Sequence, residues 1–144
     1  MTSRESEYYV RAVDAIADRE YETAGDALAR AAWETLAEPR PGQGPFDDEQ
    51  KGWAGEGIQY LLTSGVCYRV AGRPDRAESR GAEAGAIATD FESVRSSPVQ
   101  RACLQELVAD ARLVGGLDDA VEAYADAADA YRRAAASIED PHYW

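Results

Sequence analysis

The sequence predicts an all-α protein of about six helices, paired into three antiparallel hairpins that stack in series. Three observations predict it. Alanine, glutamate, aspartate and arginine dominate while β-branched residues are sparse, a composition that favours helix by intrinsic propensity. Small and apolar residues recur three and four positions apart, which places them on one helical face. Glycine and proline fall between these stretches, where helices stop and start.

The stretch from Leu61 to Ala84 shows the pattern most clearly. Leu61, Gly65 and Tyr68 share a face, Gly72 offers a left-handed stop, and Pro74 opens the next helix. Ala77, Gly81 and Ala84 continue at steps of four and three. Small residues on the second helix admit the first closely, with Tyr68 filling the gap. Tyr8, Ala12, Ala15, Tyr21, Ala24, Leu28 and Ala31 echo this unit, as do Leu104, Leu107, Val108, Ala111, Gly115, Ala120, Tyr124 and Ala127.

This succession of leucine, small, aromatic, glycine and alanine positions resembles a tetratricopeptide-type helical hairpin. Such hairpins repeat at about 34 residues. Here Ala24, Ala77 and Ala120 lie 53 and 43 residues apart, so longer helices and an insertion are expected. The resemblance covers most of residues 8–135 and implies a right-handed superhelix of three hairpins. A plain six-helix bundle is the alternative.

Taken in order, hairpin one spans 3–38, with Thr2 or Ser3 capping the first helix and Glu5 completing a capping box. It breaks near Asp18–Glu20, and Trp33 is placed to reach a neighbouring unit. Residues 39–46 hold three prolines and two glycines, a connector or ordered loop. Hairpin two spans 47–95. Asp47 and Gln50 cap its first helix, whose apolar surface is broad enough for a central position. Its second helix runs from Pro74 to Val94. Hairpin three spans 97–138. Ser97, Pro98 and Gln100 mark its start and Gly115–Gly116 its turn. Leu117, Ala120, Tyr124, Ala127, Tyr131, Ala134 and Ile138 form the most regular stripe, suited to closing the core or pairing with a second copy. The tail 139–144 carries two aromatics and is expected to dock in a groove or remain free. All of 1–144 reads as one domain.

The chain carries 27 acidic and 15 basic residues, a net charge of −12, and Lys51 is its one lysine. An acidic, lysine-poor, alanine-rich chain resembles proteins of salt-loving archaea. The charge disfavours nucleic-acid partners, since phosphate contacts rely on Lys and Arg. No run of about 18 apolar residues suggests a membrane span, and residues 1–5 lack a signal-peptide core. A cytoplasmic location is expected, with Cys67 and Cys103 as reduced, buried thiols.

Motifs for chemistry are scarce. His142 is the single histidine and lies in the tail, so no histidine-based metal site or triad can form on the helical body. Cys-x-x-Cys, phosphate-loop and dinucleotide fingerprints are absent. Neither a cofactor nor catalysis is expected. The resemblance to tetratricopeptide repeats implies a groove lined by the first helix of each hairpin. Carried onto this chain, that groove holds Tyr9, Val13, Gln59, Leu62, Val66, Arg69, Gln105 and Arg112. Ile16 and Ala109 extend the same faces. Arg69 and Arg112 together would grip a carboxylate or acidic segment, or each would pair with a nearby acid. Arg69, Arg73, Arg76 and Arg80 make one locally positive stretch, expected to balance neighbouring acids. The reading that follows is a non-catalytic protein-interaction scaffold with a protein or peptide partner and a possible homodimer. A small-molecule binder with an aromatic-lined cavity is second. An enzyme using Asp, Glu, Arg and Tyr is third.

A chain this acidic repels itself at low ionic strength and is screened in concentrated salt. Thermal melts are therefore expected to shift upward steeply between low and molar KCl. A midpoint that stays fixed across that range refutes the halophilic reading.

Overall fold

Six helices account for nearly all of the described chain. The computed structural model describes residues 6–38, 52–95 and 97–136. The helices are α1 (Glu7–Ala17), α2 (Tyr21–Ala37), α3 (Gly52–Val70), α4 (Pro74–Val94), α5 (Pro98–Val114) and α6 (Ala120–Ala136). No strand occurs among the described residues, and no described helix is long and apolar enough to cross a membrane. The expected loop at 39–46, the caps at Asp47 and Gln50, and the tail 139–144 lie outside the described residues.

Helix α1 begins later than the sequence suggests. Its cap is Ser6, whose hydroxyl accepts the amide of Tyr8 at 3.2 Å, rather than Thr2 or Ser3. Helix α5 starts as expected, with Ser97 accepting the Gln100 amide and Pro98 at the first helical position. The three hairpin turns share one geometry. Arg19, Gly72 and Gly116 take φ of 61°, 78° and 73°. The next amide in each case (Glu20, Arg73, Leu117) donates to the carbonyl of Ala15, Tyr68 or Arg112 at 2.8 to 2.9 Å. This is the left-handed helix stop in which a late amide satisfies an orphan carbonyl. Arg19 holds it without glycine.

Helices pack on their chain neighbours in order, α1 on α2 through α5 on α6, and α3 also touches α5. Helix α3 meets α2, α4 and α5, and helix α5 meets α3, α4 and α6. One core joins Ala32, Ile58, Leu61, Ala84, Ala88 and Leu104. A second joins Ala12, Ala15, Ala24, Leu28 and Cys67 between α1, α2 and α3, with Tyr9, Tyr21 and Tyr60 against it. Trp53 of α3 meets Phe91 of α4 edge-on at 6.1 Å.

Small residues set the spacing. The Tyr68 ring does not fill a gap within its own hairpin. It crosses to α2 and lies on Gly25, where a Cβ would fall 2.8 Å from the ring. Gly57 receives Leu36 in the same way, and Gly65 receives Val114. Gly81 is the tightest contact with backbone. A Cβ there would stand 2.6 Å from the Ala111 carbonyl oxygen and 2.9 Å from the Gly115 nitrogen. At Gly85 it would meet only the Ala111 methyl, at 3.4 Å.

Two substitutions one turn apart should therefore behave oppositely. Gly81→Ala forces α4 and α5 apart and is expected to cost about 2–3 kcal/mol. Gly85→Ala gains helix propensity and should be neutral or stabilising by up to about 1 kcal/mol. Denaturant unfolding of the two variants checks this; equal effects would refute the close approach at Gly81.

Candidate functional site

The residues expected to share one groove are distributed over several surroundings. Tyr9 packs on Tyr60 with ring centroids 5.4 Å apart. Leu62 is buried in the main core. Val13 is exposed, Val66 is 49% exposed, and Gln59 is half-buried. These stand on the outer faces of α1 and α3. Ile16 is exposed and Ala109 is buried.

The two arginines do not act as a pair. The Arg69 Nε donates to the Val114 carbonyl at 2.7 Å, and its guanidinium covers Gly116. It thus satisfies a terminal carbonyl of α5. Arg112 instead binds Asp119 across the α5–α6 turn. Two further arginines of the positive stretch, Arg73 and Arg76, clamp hairpins one and two together. Arg73 and Arg76 both reach Glu22, at 2.8 and 3.2 Å, and Arg76 also reaches Asp26 at 3.4 Å. Arg80 pairs with Glu83 within α4 at 2.9 Å.

Tyrosine hydroxyls supply the other cross-helix links. Tyr68 donates to Asp26 of α2, Tyr124 to Asp110 of α5, and Tyr131 to Glu106 of α5. Burial, then the bond to its carboxylate, pushes Tyr68 up to about 12, and the same causes push Tyr124 up to about 12. Tyr131 is raised as well, by burial first and then by its bonds to Cys103 and Glu106. Cys67 is buried, as expected, and its thiol is raised by burial, whereas Cys103 is exposed, contrary to the expectation. Glu83 is raised by burial, partly offset by Arg80. It lines neither cavity described next.

A concave trough runs along α5, bordered by α4 and, over one of its halves, by α6. It comprises two adjoining volumes of about 460 and 530 Å³ that share Thr89, Val108 and Arg112. One half is lined by Gly81, Ala82, Gly85, Ala86, Ala111 and Gly115. The other is lined by Glu92, Asp119, Glu122, Asp126 and Asp129, with Arg112 and Arg133. Among the described residues no aromatic ring lines either half. Gln105 and Arg112 are the two groove residues expected from sequence that fall here. Gln105 is held by Glu92 at 2.8 Å. Glu122 and Asp126, one turn apart on α6, were not distinguishable in a chain with acids throughout. Among the described residues no three His, Cys, Asp or Glu side chains converge as metal ligands.

No protein-family model, no curated protein and no solved structure matches the chain.

The tyrosine–carboxylate seams give a pH-dependent test. The folded pKa of Tyr68 lies above the ordinary value of about 10. Its contribution to stability is therefore complete below about pH 10 and lost as pH rises through about 12. Tyr68→Phe should cost about 1 kcal/mol at neutral pH, and the variant should lose less stability than the wild type between those values. Unfolding curves at neutral and alkaline pH check both points. An unchanged alkaline slope refutes the Tyr68–Asp26 link.

Proposed function

We propose that the chain is a non-catalytic interaction scaffold of tetratricopeptide-like hairpins, working in a salt-rich cytoplasm, that holds a protein segment in the trough along α5. The trough carries this reading. It is open, one half of it is lined mainly by alanine and glycine, and its charged groups are carboxylates and two arginines, of which Arg112 binds Asp119. Serial packing of the helices and the recurrent left-handed turn support the repeat-like part of the reading. The face of α1 and α3 is a weaker candidate surface, since Leu62 is in the core and Arg69 is engaged at the end of α5. The aromatic-lined cavity required by a small-molecule binder has no counterpart in the lining of the trough.

Ala82 is exposed on the trough wall, so Ala82→Trp fills the space without entering the core. Affinity capture from the native cell at its own salt concentration, with mass spectrometry, should recover a discrete protein with the wild type and lose it with Ala82→Trp. A co-purified small molecule in place of a protein would overturn the scaffold reading.

A further inference from the structure

We infer that the occupant of the trough is a basic amphipathic α-helix of a partner protein. This rests on the scaffold reading above and adds the chemistry of the partner. The α4–α5 half of the trough offers Ala82, Gly85, Ala86, Ala111 and Gly115, with Val108, Arg112 and Leu117 as its larger side chains. A surface built mainly of small residues is complemented by large ones, so the partner brings most of the bulky apolar side chains. A helix with such residues at i, i+4 and i+7 presents them as one narrow row, which suits a trough that runs along α5.

The walls specify charge. Glu78 and Asp90 stand on the α4 side of the small-residue half, and Glu122 and Asp126 on the α6 side of the adjoining half. None of the four makes an ion pair among the described residues. Glu78 and Asp90 are about 18 Å apart along the helix axis at 1.5 Å per residue, so the acidic wall extends over several turns of a docked helix. Of the lining arginines, Arg112 is already neutralised by Asp119, which leaves Arg133 at one end. A helix with Lys or Arg beside its apolar row, running across both halves, meets unpaired carboxylates of α4 in one and of α6 in the other. A second copy of this chain, at net −12, meets the same walls with like charge, as does a nucleic acid.

Salt divides the labour between floor and walls. At 1 M the screening length is about 3 Å, so the walls then choose and orient the partner while the apolar floor supplies most of the affinity. At lower salt the walls contribute to both.

The test uses the full chain and a fluorescein-labelled synthetic helix of about sixteen residues, with leucine at i, i+4, i+7 and i+11 and arginine or lysine beside them. Two controls replace the basic residues by glutamate or the leucines by serine. Anisotropy titrations run at several KCl concentrations, with circular dichroism to verify that each protein variant is folded. The basic peptide is expected to bind at least about tenfold more tightly than either control. Ala82→Trp should abolish that binding, and Glu122→Arg with Asp126→Arg should weaken it about tenfold and favour the acidic peptide. Equal binding of basic and acidic peptides, no binding of the basic one, or indifference to Ala82→Trp overturns the inference. A cellular partner lost with Ala82→Trp but unaffected by reversing Glu122 and Asp126 removes the basic helix and leaves the scaffold standing.

Discussion

The close approach of α3 to its neighbours is the constraint on which this architecture depends. Helices α2, α3, α4 and α5 approach one another at Gly25, Gly57, Gly65 and Gly81, and at three of these a large side chain from the facing helix occupies the missing Cβ position. The Tyr68 ring on Gly25 joins hairpin one to hairpin two. Burying such a side chain is worth roughly 1.5–3 kcal/mol. The ion pairs of Arg73 and Arg76 with Glu22 and Asp26 span the same boundary, but their side chains are 38–53% exposed. Pairs of that kind contribute about 0.2–1 kcal/mol and weaken with salt. Packing therefore fixes the distance between hairpins, and the ion pairs tune their alignment.

The same accounting explains why a trough survives between α4 and α6. Both helices are drawn onto α5, α4 by the Gly81 contact and α6 through Tyr124, Tyr131 and the buried Ala127 and Ala134. Among the described residues no comparable contact draws them toward each other. Where both line the trough, α4 carries Glu92 and α6 carries Glu122 and Asp126, and like charges oppose closure. The small residues that bring α4 close to α5 also leave the floor shallow of side chains. Tight packing beneath and an open channel above have the same cause.

Much of this was legible in the sequence, and the exceptions have physical reasons. Pro74, Ser97–Pro98 and Gly115–Gly116 located α4, α5 and the last turn, because proline and glycine act through the local backbone alone. Helix α3 was recognisable as central from its broad apolar surface. The start of α1 was misplaced because several Ser and Thr residues precede it and only the tertiary register selects Ser6. The partner of Tyr68 was misassigned because Gly25 and Gly81 are equivalent as small residues; which one receives the ring depends on helix rotation. Arg69 and Arg112 occupy matching positions in their helices, yet the first reaches forward to α5 and the second to the turn before α6. Sequence spacing orders residues along a helix and does not reveal which neighbour stands opposite.

The acidic composition has a second role that charge counting obscures. Asp26, Asp110 and Glu106 are not merely solvated surface groups: each accepts a tyrosine hydroxyl from another helix. A phenol can bury its ring and still need an acceptor at its tip, and an ionised carboxylate is a stronger acceptor than a neutral group. Such bonds pair a neutral donor with the charge, so they satisfy the carboxylate without requiring a buried cation and its desolvation. An acidic, lysine-poor chain can thus place its carboxylates at helix seams as well as on its surface. The distinction separates Asp26, Asp110 and Glu106, already engaged in holding the fold, from Glu122 and Asp126, which remain available along the trough.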